Sequence, residues 1–167
     1  MEQLFDTAQD PRWRLLDVAR DRLEMARHRP EIIEIVRACA RGVCSADGVT
    51  FVLREYSMCH YVEEDAISPL WKGQKFPMTS CISGWAMLNN KTAVIPDIFA
   101  DPRIPHDVYR KTFVKSLIMT PIGMETPLAA MGAYWREQRV FTAREIAAVE
   151  ALAGHVSRAV TRVWQAQ

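Results

Sequence analysis

The residues best suited to chemistry are two cysteines, a set of aromatics and one proline-rich connection. Cys81 opens the run "CISGWAMLNN", and a helix capped by Thr79 or Ser80 would place its thiol in the first turn. A helix N-terminus favours an anion and lowers a thiol pKa, so Cys81 is a candidate nucleophile. A thiol enzyme also needs a resolving thiol within reach, and no cysteine follows Cys81, which leaves Cys59 on a strand-like run as the plausible partner. The competing reading is a buried cysteine packed as a small hydrophobe. Trp71, Trp85 and Trp135, with Phe76, Tyr109 and Phe113, are either an aromatic-lined cavity or simply core. The stretch from Ala93 to Ile122 contains four prolines, and connections this long and this organised are usually functional. In it Asp97, the Asp101-Pro102-Arg103 turn and Pro105 would fix a loop that walls a pocket, while "HDVYRKTF" offers a short helix bearing His106, Tyr109, Arg110 and Phe113. The alternative is that Asp101 and Arg103 pair locally and only hold the loop's shape. His60 or His106 could offer a nitrogen to haem, though a lone histidine is more often just a polar residue. No H-E-x-x-H, G-x-S-x-G, P-loop or paired-carboxylate spacing is present, and Glu63, Glu64 and Asp65 read as a solvated strand end.

Composition sets the surroundings of these groups. A chain of 167 residues that is 49% apolar is long enough for one substantial core. Its formal net charge of +1 provides no global field to attract nucleic acid or an anionic membrane. No apolar run reaches the roughly 20 residues needed to span a bilayer, and the N-terminus lacks a signal peptide's apolar middle. A cytoplasmic domain is expected. There Cys39, Cys44, Cys59 and Cys81, which show no C-x-x-C spacing, would be reduced thiols rather than a disulfide or zinc framework.

The elements follow from pattern and punctuation. "PRWRLLDVARDRLEMARHR" starts after Asp10 with a proline in its first turn and carries Leu16, Ala19, Leu23 and Ala26 as a narrow stripe, which predicts a helix wanting a helical partner. Pro30 opens a second helix with a broader apolar face. "GVTFVLREY" and "MCHYVEED" form a hairpin, "ISPLWKGQKFP" returns irregularly, and Asn89-Asn90 ends the short helix after Cys81. "KTAVIPD", "VKSLIMTPI" and "PLAAMGAYWR" add strands, so at least five are expected. Thr142 to Glu145 matches a T-x-x-E capping box at the start of a long final helix. In that helix Ile146, Val149, Ala153, Val156, Val160 and Val163 recur at three- and four-residue steps, and Val149, Val156, Val160 and Val163 with Leu16 and Leu23 predict a helical dimer seam. The alternative is a helix lying on the sheet. The order of elements implies an α+β domain, a mainly antiparallel sheet with helices on its faces.

From about Ile32 to Val163 the chain resembles a GAF domain, the small-molecule sensor module of bacterial signalling proteins. The resemblance rests on "SCISGWAMLNNKTAVIPDI", "ADPRIP", "FVKSLIMTPI" and "GAYW" followed by "FTAREIAAVEALAGHVSRAV". It implies a GAF-like sheet of about six antiparallel strands with the N- and C-terminal helices on one face and pocket-forming loops on the other. Residues 1–29 would form an N-terminal helix and 30–167 the domain with its C-terminal signalling helix. A pocket roofed by Thr79 to Leu88 and Asp97 to Phe113 would use Trp71, Phe76, Cys81, Trp85, Asp97, Tyr109, Arg110 and Phe113. The resemblance implies an unidentified small molecule, a homodimer, and an output domain such as a histidine kinase, with no catalysis in the domain itself. Related photoreceptor domains attach a bilin through a cysteine in the excursion, but Asp97 to Phe113 contains none, so a covalent bilin at that position is excluded. The cyclic-nucleotide motif of related domains is matched only at Asn90-Lys91. Two alternatives remain: a ligand-free dimerisation module, and a thiol enzyme resembling free methionine sulfoxide reductase that uses Cys81.

Overall fold

A computed structural model describes residues 10–165 of the chain. Helix α1 (Pro11–Met25) begins where the Asp10 side chain accepts from the Arg12 amide, and Pro11 fills the position whose missing N–H costs nothing. Its last turn is held from a distance, because Arg162 Nη2 donates to the carbonyls of Leu23 and Ala26 at 2.9 and 2.7 Å. Helix α2 (Arg29–Cys44) runs to a left-handed Ser45.

Strands β1 (Gly48–Glu55), β2 (Met58–Ala66), β3 (Lys75–Pro77), β4 (Ala93–Ile95), β5 (Ser116–Ile122) and β6 (Ala129–Trp135) form one sheet in the order β3-β2-β1-β6-β5-β4. Every pairing is antiparallel. Between β3 and β4 lie a 3₁₀ turn, Met78–Ser80, and helix α3 (Ile82–Asn89), which ends on a left-handed Asn90. Between β4 and β5 lie a 3₁₀ turn, Ile98–Ala100, and a single helical turn, α4 (His106–Tyr109). Helix α5 (Ala143–Gln165) starts with the expected reciprocal cap: the Glu145 amide donates to Thr142 Oγ1, and the Thr142 amide donates to Glu145 Oε1.

Both faces of the sheet are buried, as strands with apolar residues on both sides require. One face carries Phe51, Ile118, Ile122, Met131 and Ala133 against α2 and α5, and α1 packs on those two helices. The other carries Val52, Cys59, Tyr61, Leu117, Met119 and Tyr134 against α3 and the segments flanking it. A bulge between Phe51 and Val52 shifts the register of β1 against β2, so that Phe51 opposes Glu63 and Val52 opposes Tyr61. With Cys59 two residues earlier, Tyr61 and Cys59 then share the α3 face.

The expected dimer seam is corrected here. Leu16, Leu23, Val149, Val156, Val160 and Val163 are all buried within the chain, in the core that joins α1 and α5 to α2 and the sheet. Their spacing marks a helix–helix contact, but α1, α2 and α5 of one chain make it among themselves. Helix α1 is thus part of the same core as residues 30–165, and residues 1–9 of the expected N-terminal segment lie outside the described residues.

Candidate functional site

The site is built outward from β2. Glu64 does not end as a solvated carboxylate: its oxygens accept from the amides of Leu70, Trp71 and Lys72 at 2.9, 2.9 and 2.8 Å. That clamp turns the irregular return and delivers Trp71 beneath α4. There Trp71 meets Tyr109, Tyr134 and Tyr61 with ring centroids 4.7, 5.5 and 5.7 Å apart, and Phe76 meets Tyr61 edge-on at 5.5 Å. The tyrosine hydroxyls are placed as buried polar groups require: Tyr134 with Thr50 Oγ1 at 2.8 Å and Tyr61 with Ser83 Oγ at 2.9 Å. Burial pushes the Tyr61, Tyr109 and Tyr134 phenols above their ordinary range, so they stay neutral.

This aromatic box is full. The space between Tyr61, Trp71, Phe76, Cys81, Val108 and Tyr109 is about 10 Å³, too small to admit an organic molecule. Trp71, Phe76 and Tyr109 are therefore core in this state and do not line an open pocket. Open space lies one layer further out, in a cleft of about 510 Å³ between the start of α3 and the Pro102–Pro105 turn. Its walls include Met78, Cys81, Trp85, Leu88, Arg103 and Ile104, and Thr79, Ser80 and Asn89 bring polar groups to it.

Arg103 and Trp85 shape that cleft. The guanidinium carbon of Arg103 sits 4.3 Å above the Trp85 ring, while its Nε and Nη2 donate to Asp101 at 3.0 and 2.7 Å. The Arg103 side chain holds the Asp101 carboxyl below the usual range. The local Asp101–Arg103 pair is thus present, and it also aims Arg103 across the cleft.

The remaining expected pocket residues lie elsewhere. Asp97 accepts from the Phe99 amide and starts the second 3₁₀ turn, Arg110 is exposed and pairs with Asp107, and Phe113 packs against the edge of the second core near Gly48. Trp135 is in the opposite core, donating to the Ser45 carbonyl. The histidines considered for haem are engaged: His60 Nδ1 with Glu55 at 2.7 Å and His106 Nε2 with the Asp101 carbonyl at 3.0 Å. No cluster of potential metal ligands occurs among the described residues.

Cys81 forms the cleft floor, although not as a residue inside the helix. It is the N-cap of α3, because Met78–Ser80 tighten into the 3₁₀ turn and Ser80 Oγ donates back to the Pro77 carbonyl instead of capping. Its sulfur lies 3.3 Å from Cys59 Sγ, 3.3 Å from Ser83 Oγ and 3.4 Å from the Pro77 carbonyl oxygen. The hydrogen bond with Cys59, followed by those with Ser83 and the amides of Gly84 and Ser83, pulls the Cys81 thiol below its ordinary range against the cost of burial. Its contact with Cys81, and then burial, push Cys59 the other way. Cys81 is the acidic member of the pair.

The order of strands, the helices on one face and the cleft beside α3 agree with the sequence comparison, in which a GAF domain family model matches residues 31–161. The chain belongs to the GAF domain family. Such domains are generally small-molecule-binding sensory or regulatory modules. Similar solved structures include an enzyme as well as GAF domains of larger proteins. The GAF domain of an Acinetobacter phosphoenolpyruvate-protein phosphotransferase has a TM-score of 0.78 at 8% identity, covering 95% of this chain and 98% of that one. The free methionine-R-sulfoxide reductase from Neisseria meningitidis, solved with its substrate, has a TM-score of 0.78 at 14% identity, covering 100% and 97%. The phycocyanobilin-bound GAF domain of a cyanobacterial phytochrome has a TM-score of 0.74 at 15% identity, covering 93% and 97%. At these identities the likeness is one of fold. A comparison with curated proteins finds no match.

Proposed function

We propose that this GAF domain is a cytoplasmic, non-catalytic sensor that takes a small amphipathic molecule in the cleft between the start of α3 and the Pro102–Pro105 turn, beside the stacked Trp85 and Arg103. The observation that carries the reading is the cleft itself: about 510 Å³ of open space beside the stacked Trp85–Arg103 pair, bordered by apolar side chains and by hydroxyl, amide and guanidinium groups. A site of that size with an apolar body and few polar groups suits a small organic ligand. No helix among the described residues is long and apolar enough to cross a membrane.

The signal has a physical route. Strand β5 carries Leu117 and Met119 in the core beneath α3, and Ile118 and Ile122 in the core beneath α5. A ligand that favours one setting of α3 would bias β5 and α5 together, and α5 would pass that bias to an output domain such as a histidine kinase. A homodimer belongs to the same proposal, but it must use a surface other than the buried valines of α5. The specific observation on the side of a thiol enzyme is the sulfur pair of Cys81 and Cys59.

Native mass spectrometry of gently purified protein, with an absorbance spectrum of the same sample, tests the sensor reading. The expected result is a reproducible extra mass that is lost in both Trp85→Ala and Arg103→Ala while both variants melt cooperatively. Unliganded wild-type protein, or a ligand that survives both substitutions, would refute the cleft as the site.

A further inference from the structure

The sulfur pair has geometry that the sensor reading does not use. Cys59 is fully buried on β2, Cys81 is 8% exposed at the cleft floor, and their sulfurs stand 3.3 Å apart. A disulfide requires about 2.05 Å, so bond formation needs a closure of only about 1.3 Å between side chains already facing each other. We infer that Cys59 and Cys81 are a redox-active dithiol, which a small hydroperoxide reaching the cleft floor converts to an internal disulfide.

The roles follow from position. Only Cys81 meets the cleft, so it attacks; the small exposed area favours an oxidant of hydrogen peroxide's size over a bulky disulfide. The Cys81 thiolate attacks the terminal peroxide oxygen and the O–O bond breaks. The departing alkoxide or hydroxide takes up the proton that Cys81 released and leaves as alcohol or water, with Cys81 now a sulfenic acid. The Cys59 sulfur then attacks Cys81 Sγ. The S–O bond breaks, and the leaving hydroxide combines with the Cys59 proton as a second small product, water. Two electrons pass from the dithiol to the peroxide, and any cellular dithiol reverses the change. The bond would tie β2 to the residue that begins α3 and withdraw Cys81 Sγ from Ser83 and the Pro77 carbonyl, fixing the cleft floor in one setting. Cys44 is an internal control, since burial pushes its thiol up to about 12.

The inference does not require the cleft to bind an organic ligand, and its test needs none. Reduced protein is treated with a small excess of hydrogen peroxide, quenched with N-ethylmaleimide, and read by intact mass and a non-reducing tryptic map. The expected wild-type product is lighter than the reduced protein by about 2 Da before alkylation, the loss of two thiol hydrogens. In its map the Cys59 and Cys81 peptides are joined, and Cys39 and Cys44 are alkylated. In Cys59→Ala the Cys81 sulfenic acid should accumulate and be captured by dimedone, and in Cys81→Ala Cys59 should stay reduced. The wild-type map decides the matter even if a variant fails to fold. Over-oxidation of Cys81 without a link, a link through Cys39 or Cys44, or an unreacted pair would each overturn the inference.

Discussion

Replacing Val156 by glutamate should abolish the folded domain, with no loss of cooperative folding expected from the same change at Val140. Val156 has no exposed surface and lies in the core that joins α1, α2 and α5 to the sheet, whereas Val140 is 91% exposed. A carboxylate there must either be buried without a partner or force the helices apart. Such substitutions cost about 4 kcal/mol or more, a large part of the roughly 5–15 kcal/mol that stabilises a domain. Far-UV circular dichroism with urea titration should show no native baseline for Val156→Glu, while Val140→Glu stays within about 0.5 kcal/mol of wild type. A folded, monomeric Val156→Glu protein would restore the intersubunit seam that the spacing of the valines first suggested.

Gly84→Ala is the second large effect, and it acts at the site. A Cβ on Gly84 would lie 1.8 Å from the Met78 carbonyl oxygen and 2.5 Å from its carbon. Both are backbone atoms of the 3₁₀ turn that forms one wall of the cleft, so no rotamer change relieves the clash. The turn and α3 must separate, which loosens Cys81 and Trp85 as well. We expect a loss of about 3 kcal/mol or more by urea denaturation, together with faster alkylation of the normally buried Cys59. Gly154→Ala provides the contrast. Its new methyl meets only the far end of Arg158 at 3.8 Å within α5, and it should stabilise the domain by about 0.5–1 kcal/mol. Equal and small effects at both glycines would show that α3 and the turn are not packed as described.

Much of this architecture was legible in the sequence because its determinants are local. Asp10 before Pro11, the Thr142/Glu145 box and Asn90 each announce a helix end through the backbone group they satisfy. Strands with apolar residues on both sides require two covered faces. Contacts set by tertiary register were not legible. The three- and four-residue steps of α5 show that a stripe is buried but not against which helix. Glu64 reads as one acid in a solvated strand end, and its role depends on three amides six to eight residues away. The aromatic residues were identifiable, but whether they line a space or fill it depends on how Trp71 seats among Tyr61, Tyr109 and Tyr134. Only Cys81 and Trp85 of the expected pocket set reach the open cleft, and Arg103, read as a loop-holding residue, becomes one of its walls.

In the proposed mode of binding, a small molecule occupies the cleft beside Trp85 and leaves the aromatic box closed. Fluorine NMR of protein labelled with 5-fluorotryptophan tests it most directly, with each resonance assigned by a Trp→Phe variant and a desalted low-molecular-mass metabolite extract as the added probe. The expected result is a saturable shift of the Trp85 resonance, with the Trp71 resonance unmoved and the Trp85 response lost in Arg103→Ala. A spectrum unchanged by the extract, or one in which Trp71 moves and Trp85 does not, would contradict it.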